Sequence, residues 1–252
     1  YFEVLDQLAE EDERQIVMYD QLGCGNSYVD HRPELWHAEV WVDELVQLRQ
    51  YLGLQDVHIL GQSWGGMLLL EYVCRYAHEG VRSLILSSTL PSSAMWAEEQ
   101  HRMIRELPPE MQAAIARADS TGDYTEPGYL AAEKEYMYRH AAGDPQETDP
   151  ECLRRPKRSG RESYVTGWGP NEFTPLGTLK DYDVTELLSS IAEPALVISG
   201  GNDLCTPYVA KYMYDHIPDS RWELFRDCRH MCFAEDTSHY IYVLKDWMNS
   251  HE

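Results

Sequence analysis

The chain alternates between short continuous apolar runs and longer segments in which apolar residues recur every three or four positions. The short runs predict buried strands over 15–20, 57–60, 83–87, 194–199 and 222–226. The recurring positions predict helices over 2–10, 36–52, 64–76, 183–191, 208–216 and 236–248. Strands that alternate with helices in this way are typical of a mostly parallel sheet with helices on both faces. The pattern therefore predicts an α/β fold.

The pattern changes after Pro91. Residues 94–142 carry apolar side chains at helical intervals, with Pro or Gly at the joints and few strand-like runs. This predicts a helical cap inserted into the α/β fold. Residues 143–162 are charged and rich in Pro and Gly, which predicts a surface loop or a plain linker. The predicted division is a first part of the core at 1–90, a helical cap at 91–175 and a second part of the core at 176–252.

Residues 57–76 read as a strand, a sharp turn and a helix. The turn, Gly61-Gln62-Ser63-Trp64-Gly65, has the pattern G-x-S-x-G, which holds a serine hydroxyl above a sheet on a strained turn. Close backbone approach there predicts that positions 61 and 65 tolerate little beyond glycine. The N-terminus of the following helix favours a nearby oxyanion. We therefore expect Ser63 to be a nucleophile and the N–H of Trp64 to be an oxyanion donor; the alternative is a turn that merely joins two packed elements.

Two further polar residues, Asp203 and His230, also follow predicted strands directly. Ligands bind at the carboxyl ends of the strands of an open parallel sheet, so we expect Ser63, Asp203 and His230 to converge. A serine nucleophile needs a base, and the base needs an acid to orient it. The order Ser, Asp, His is that of the α/β-hydrolases. The alternative for the last two is a capping or turn-stabilising residue, and Asp227 is the alternative acid.

The composition limits the classes of molecule that we expect this protein to bind. The chain has 252 residues, of which 43 are acidic and 21 basic, giving a net charge of −22. This argues against nucleic acid as a partner and mildly favours cationic substrates, although the charge alternatively serves only solubility. No apolar run approaches the length of a membrane span, so we expect no membrane association.

The cysteines and histidines suggest no metal site. Of the six cysteines, only those in Cys228-x-His230-x-Cys232 approach a zinc-binding spacing, and no second cluster completes a set of four ligands. We expect no metal and no cofactor. Scattered thiols in a chain of this length fit a reducing cytoplasm better than a disulfide framework.

Four motifs together resemble the proline iminopeptidases, in particular their tricorn-interacting-factor and amino-acid-amidase branch. They are DQLGCGNS at 20–27, GQSWGG at 61–66, GPNEF at 169–173 and FRDCRH at 225–230. The resemblance runs over nearly the whole chain and implies an α/β-hydrolase fold with a helical cap. It implies removal of an N-terminal residue, preferably proline, from short peptides or amino-acid amides. It also assigns nucleophile, acid and base to Ser63, Asp203 and His230.

The resemblance further implies that a carboxylate holds the free α-ammonium of the substrate. Glu172 matches the family position in GPNEF, and a charge-assisted hydrogen bond there would fix the cleavage frame at one residue. The alternative is a solvated loop acid. Some relatives carry a second acid directly after the triad aspartate, where this chain has Leu204. Aromatic residues are candidates to line a pocket for the proline ring, or alternatively belong to the cap core: Trp64, Trp96, Trp168 and Phe173.

Relatives of this family also carry a His-Gly-Gly-Pro-Gly motif after an earlier strand, and its backbone supplies the other oxyanion donor. This sequence does not contain the motif. We expect the functional protein to include a further N-terminal segment with that motif and the strands before it. Two other functions stay open: an amidase or esterase of the same fold acting on other small acyl substrates, and a catalytically silent ligand-binding protein. The sequence does not determine the oligomeric state.

Overall fold

The computed structural model describes residues 1–12 and 14–252. In this part of the chain, a parallel sheet has the strand order β1-β2-β3-β4. Each neighbouring pair of strands is parallel. The strands are β1 (Val57–Gln62), β2 (Val81–Ser87), β3 (Ala195–Gly200) and β4 (Ser220–Phe225). All six residues of β3 are buried, as expected of a central strand that is covered on both faces.

Helices connect the strands and cover them. They are α1 (Gln7–Asp12), α2 (Ala38–Leu52), α3 (Trp64–Arg75), α4 (Ser93–Ile104), α5 (Pro109–Thr121), α6 (Pro127–His140), α7 (Glu151–Arg154), α8 (Arg161–Gly167), α9 (Pro207–His216), α10 (Cys232–Glu235) and α11 (Thr237–Asn249). Short 3-10 helices lie at Phe2–Leu5, Gly25–Ser27, Pro33–Leu35 and Thr185–Ser190.

The two faces of the sheet bury different side chains because successive residues of a strand point in opposite directions. In β2, Leu84 and Leu86 belong to the hydrophobic cluster that contains residues of α2, α3 and α9. Ile85, between them, belongs to the second cluster, which is formed largely with α11. The predicted α/β architecture with helices on both faces is confirmed.

The insertion between β2 and β3 is helical, and local signals explain where its helices begin and end. Pro109 and Pro127 stand at the first positions of α5 and α6, where the missing N–H costs no hydrogen bond. Gly122 ends α5 in the left-handed conformation, with φ 72°. Buried residues of α4, α5 and α6 join the same cluster as those of α2 and α3. The boundaries at 91 and 175 therefore stay a prediction, since no break in packing marks them.

The strand predicted over 15–20 is wrong. The structure gives these residues no strand, and Val17, Met18 and Tyr19 are 39%, 44% and 38% exposed. A strand needs a neighbour that exchanges backbone hydrogen bonds with it, and this segment is not part of the described hydrogen-bonded sheet. An apolar run alone does not supply that neighbour. The sheet consequently has four described strands rather than the five predicted.

Two other local predictions need correction. The helix predicted over 183–191 is a 3-10 helix at Thr185–Ser190. Its start is shaped by Asp183, whose Oδ1 accepts from both the N–H and the Oγ1 of Thr185, at 2.8 and 2.6 Å. Such local hydrogen bonds compete with an α-helical start. The segment 143–162, predicted as loop, contains the short helix α7.

Candidate active site

Ser63 occupies the turn between β1 and α3 in a strained backbone conformation, with φ 54° and ψ −120°. Its neighbours hold it there: its N–H donates to the carbonyl of Ser87 at 2.9 Å, and Thr89 Oγ1 donates to the carbonyl of Ser63 at 2.7 Å. A Cβ on Gly61 would lie 2.2 Å from the carbonyl oxygen of Gly65. Only glycine therefore fits at position 61, and the surrounding contacts maintain a conformation that a serine rarely adopts.

The expectation for Gly65 is wrong. A Cβ at this position would meet no atom within 4 Å, and its φ is not in the left-handed range. The crowded glycine of the helix start is Gly66, where a Cβ would lie 2.4 Å from the side chain of Thr89. The second glycine of the G-x-S-x-G pattern is thus not required by the packing of the described residues, whereas the glycine after it is.

The structure pairs Asp203 with His230. Oδ1 of Asp203 lies 2.7 Å from Nδ1 of His230 and also accepts from the N–H of Cys205 at 2.9 Å. Oδ2 accepts from Ser88 Oγ at 2.6 Å and from the N–H of Gly200 at 2.9 Å. With a carboxylate on Nδ1, that nitrogen carries the proton, which leaves Nε2 as the acceptor. The side chain of Asp203 is almost completely buried.

Two opposing effects set the pKa of His230. Burial disfavours its charged form, but the adjacent Asp203 carboxylate, with smaller contributions from Glu172 and Glu235, outweighs burial and raises the pKa above the ordinary value. The alternative acid, Asp227, is exposed and is not hydrogen-bonded to His230 in the described structure. Asp203 is therefore the acid in contact with this imidazole.

No hydrogen bond joins Oγ of Ser63 to Nε2 of His230 in the described part of the chain. Gln62 Nε2 donates to the carbonyl of His230 at 3.2 Å, which joins the end of β1 to the loop that carries the imidazole. A hydrogen bond between a nucleophile and its base is often long before substrate binds.

Trp64 is the first residue of α3, so its N–H has no acceptor within the helix. Its indole N–H donates to Gln21 Oε1 at 2.7 Å.

Sequence reasoning missed Ser88. This residue is fully buried, has a φ of 47°, and is held by a hydrogen bond from its N–H to the carbonyl of Ile198 at 2.8 Å. Its hydroxyl supports the carboxylate of Asp203. The available signal was its position directly after β2, because polar residues at the carboxyl ends of neighbouring parallel strands meet at one edge of the sheet.

A cavity of about 230 Å³ opens beside Ser63. Four more of the predicted site residues line it: Trp64, Trp96, Trp168 and Glu172. Trp96 also stands edge-on to the ring of Trp168, with the ring centroids 6.4 Å apart, and to the ring of His230 at 6.1 Å. Phe173 does not line the cavity. It is fully buried against Tyr129 and Tyr136, which is the structural role given as its alternative.

Two hydrogen bonds fix the position of Glu172, one to its carboxylate and one to its backbone carbonyl. The hydroxyl of Tyr164 donates to its Oε1 at 2.9 Å, and the indole N–H of Trp96 donates to its carbonyl oxygen at 2.7 Å. The preceding residue, Asn171, accepts from the N–H of Phe173 at 3.0 Å and donates to the hydroxyl of Tyr129 at 2.9 Å. Sequence reasoning missed the part of Tyr164, which lines the same cavity.

A second carboxylate lies near Glu172, but not at position 204. Leu204 is buried and apolar. Glu133 of α6 is half-buried; burial raises its pKa, a hydrogen bond with Tyr129 opposes this, and the charge of Glu172 raises it further. Sequence reasoning placed residue 133 in a cap helix and missed this proximity, because nothing in the helical pattern indicates which acid faces another segment.

The described residues, 1–12 and 14–252, contain no group of three or more His, Cys, Asp or Glu side chains placed to hold a metal ion. All six cysteines are free thiols. In the part of the chain that the structure covers, no helix has both the length and the apolar character that crossing a bilayer requires.

Comparison with known proteins identifies the family. The sequence profile of the alpha/beta hydrolase fold matches residues 1–237. Proline iminopeptidases from Clostridium botulinum and Lactobacillus acidophilus are 55% and 54% identical to this chain, and each alignment covers 100% of the chain and 86% of the relative.

Solved structures agree with this. The crystal structure of a proline iminopeptidase from Mycobacterium smegmatis superposes with a TM-score of 0.84 at 32% identity, covering 99% of this chain and 84% of that one. The crystal structure of VinJ superposes with a TM-score of 0.87 at 27% identity, covering 100% and 86%. The chain therefore belongs to the proline iminopeptidase family of α/β hydrolases.

Proposed function

We propose that this protein is a serine aminopeptidase that releases an N-terminal residue, preferably proline, from short peptides. One observation carries the proposal: the same cavity is lined by Ser63, at the strained turn, and by Glu172. A nucleophile and a fixed carboxylate in one small cavity suit a substrate whose scissile carbonyl lies one residue from a free ammonium group. The relatives that are more than half identical carry the same name, proline iminopeptidase.

The proposed reaction proceeds through an ester. Ser63 Oγ attacks the carbonyl carbon while Nε2 of His230 takes the hydroxyl proton, and Asp203 stabilises the imidazolium. The N–H of Trp64 donates to the oxyanion. His230 then gives its proton to the leaving amine, and the C–N bond breaks. Water then attacks the ester carbon and gives a proton to Nε2 of His230; the ester C–O bond breaks, His230 returns the proton to Ser63 Oγ, and the amino acid leaves.

The cavity fits a single small residue. Its volume of about 230 Å³ is below the lower limit of about 300 Å³ that is usual for drug-sized ligands. The indole rings of Trp64, Trp96 and Trp168 offer an apolar lining for a pyrrolidine ring. Glu172 is the proposed partner of the ammonium group, because an oriented carboxylate forms a charge-assisted hydrogen bond with it.

The proposal also covers the substrates, which are argued from the ammonium site, and the cellular location, which is argued from the cysteines. Peptides and amino-acid amides with a free N-terminus are the proposed substrates, since both present an ammonium group beside the first carbonyl. The cytoplasm is the proposed location, because six free thiols would stay reduced there.

The test compares L-prolyl-anilide with its N-acetylated form. The wild-type protein is expected to cleave the free amine only, and Ser63→Ala is expected to lose several orders of magnitude in kcat. Ser190→Ala, which changes an exposed serine, serves as the matched control and keeps full activity. Equal cleavage of both substrates would overturn the aminopeptidase proposal in favour of a general amidase or esterase. No cleavage of either, with no labelling by a serine-directed phosphonate, would indicate a binding protein.

A further inference from the structure

The C-terminal end of α6 contacts both loops that carry the proposed catalytic pair, Asp203 and His230. Nδ1 of His140 lies 3.1 Å from the carbonyl oxygen of Asn202, the residue before Asp203. The carbonyl of His140 accepts from the N–H of His230, also at 3.1 Å. One residue of the insertion is therefore hydrogen-bonded to the loop of the acid through its ring and to the loop of the base through its backbone.

A second contact ties the end of α6 to the loop of the base. Nη1 of Arg229 donates to the carbonyl of Tyr138 at 2.6 Å, and Arg229 also forms an ion pair with Glu235 at 2.6 Å. The last carbonyls of a helix have no acceptor role within the helix and need partners elsewhere. For the carbonyls of Tyr138 and His140, the partners are Arg229 and the N–H of His230.

A buried chain of hydrogen bonds reaches the other side of the acid. The hydroxyl of Tyr136 donates to Gln100 Oε1 at 2.6 Å, and Gln100 Nε2 donates to the carbonyl of Leu204 at 2.7 Å. Tyr136, Gln100 and Leu204 are almost completely buried. The carbonyls of Asn202 and Leu204, which flank Asp203, are thus both held from the helical insertion.

The protonation state of His140 follows from its surroundings. The carbonyl of Asn202 can only accept a hydrogen bond, so Nδ1 of His140 carries a proton. Burial lowers the pKa of His140, although the bond to Asn202 and the charge of Asp203 oppose this. The ring therefore donates from Nδ1 whether or not it gains a second proton, and the contact persists through the neutral range.

We propose that His140 is a positioning residue, which acts by holding the loops of Asp203 and His230 at the separation that their hydrogen bond requires. The inference rests on the proposed roles of these two residues. The insertion then supports the catalytic pair as well as lining the substrate cavity. Substrate binding is expected to be independent of His140, because Glu172 is fixed by Trp96 and Tyr164.

The experiment measures kcat, KM and the pH profile of kcat/KM with prolyl-anilide. His140→Ala is expected to lower kcat about tenfold or more, as small misplacements of catalytic groups do, with KM within about twofold of wild type. The acidic limb of the profile moves to lower pH, because a displaced Asp203 supports the imidazolium less. His140→Asn places an amide N–H where Nδ1 stood and restores most of kcat, whereas His140→Gln, with a longer side chain, does not.

His216→Ala is the matched control. The ring of His216 is likewise bonded to a carbonyl, that of Tyr212 at 2.8 Å, at the end of a helix, but it is exposed. This variant keeps wild-type kcat and pH profile.

Three results would overturn the inference: wild-type kcat and pH profile in His140→Ala, equal loss in the Asn and Gln variants, or a change in KM alone. If His140→Ala does not fold, the comparison of Asn with Gln decides. An inactive wild-type protein would remove the proposed function together with this inference, whereas an active wild type with unaffected His140 variants would remove this inference alone.

Discussion

The hydroxyl of Tyr164 donates a hydrogen bond of 2.9 Å to Oε1 of Glu172. Because Trp96 holds the carbonyl of the same residue, the carboxylate is oriented by contacts from both α8 and α4. A binding group that is already oriented loses little conformational freedom when the ligand arrives. This is the property that recognition of a small ammonium group requires, since so few other contacts are available.

Replacing the charge of Glu172 is expected to separate two kinds of substrate. Glu172→Gln keeps the shape and an acceptor for Tyr164 but loses the ion pair. We expect kcat/KM for prolyl-anilide to fall about 10- to 100-fold, in line with a hydrogen bond to a charged group. Hydrolysis of a neutral ester such as p-nitrophenyl acetate should stay within about threefold of wild type, since Ser63, Asp203 and His230 are unchanged.

Glu186→Gln supplies the matched control, because Glu186 lies on the 3-10 helix Thr185–Ser190 outside the cavity lining. An equal loss on amine and ester substrates in Glu172→Gln would contradict an ammonium-binding role.

Removal of the Ser88 hydroxyl is expected to weaken the orientation of Asp203. Ser88→Ala and Ser88→Gly both lose the 2.6 Å hydrogen bond, and we expect kcat to fall about tenfold in each, as for a misplaced catalytic group. They differ in stability: Ala keeps a side chain at φ 47°, whereas Gly avoids a strain of about 1–2 kcal/mol. Thermal melts should therefore place Ser88→Gly above Ser88→Ala.

Ser83→Ala gives the comparison, because Ser83 lies within β2, the strand that Ser88 follows. Ser83 accepts from the indole of Trp247 at 2.9 Å and has no hydrogen bond to Asp203 or His230 among the described residues. This variant should lower the melting temperature and leave kcat unchanged; a fall in kcat as large as that of the Ser88 variants would reject a specific role for Ser88.

The raised pKa of His230 links activity and stability to pH in opposite directions. As the proposed base, His230 must be neutral to accept a proton, so kcat/KM should rise with pH, with a midpoint above the ordinary value of about 6.5. The protonated form is favoured in the folded protein relative to the unfolded chain. Its stabilising contribution is fully present below about pH 6.5 and is lost as pH rises through the raised pKa.

Asp203→Asn tests the cause of this shift. It removes the nearest carboxylate, so the surviving activity should show its acidic limb at lower pH. Asp227→Asn removes an exposed acid three positions from the base and should leave the limb in place. An unmoved limb in Asp203→Asn would show that this carboxylate does not raise the pKa of His230.

The two glycines of the serine turn are expected to respond differently to alanine. Gly61→Ala places a methyl group against the backbone of Gly65, and we expect the melting temperature to fall by at least about 5 °C. In Gly65→Ala the methyl group meets no atom, and alanine favours a helix by up to about 1 kcal/mol. Its melting temperature should be unchanged or slightly raised. Equal destabilisation in both variants would contradict the packing described for this turn.

The sequence predicted the α/β fold and the residues that follow strands, because both depend on local patterns. Ser63, Asp203 and His230 each stand directly after an apolar run, and the carboxyl ends of parallel strands share one edge of the sheet. The segment 15–20 shows the limit of this reasoning. Its apolar run is strand-like by itself, but a strand exists only where another strand pairs with it, and a single segment does not encode its neighbour.

The supporting contacts could not be predicted, since they join residues far apart in the sequence. Ser88 and Asp203 are 115 positions apart, and His140 and Asn202 are 62 apart. A serine after a strand or a histidine at the end of a helix has many structural roles, and the choice among them depends on which loop lies within hydrogen-bond reach. The prediction that position 65 tolerates only glycine failed for a related reason, because a motif gives the residue type but not the free space around it.

The hydrogen bonds between the end of α6 and the loops at 202–204 and 229–230 limit how the helical insertion can be exchanged for that of another protein. A chimera that imports residues 93–140 from another hydrolase brings a new cavity lining, but it also replaces the ring of His140 and can shift the backbone of the last turn, whose carbonyls at 138 and 140 accept from Arg229 and His230. Substitutions on the outer surface of α5 carry no such constraint. The substrate range of this fold would therefore change most easily when the last turn of α6 is inherited together with both loops. Crossover points in laboratory recombination should accordingly lie before that turn.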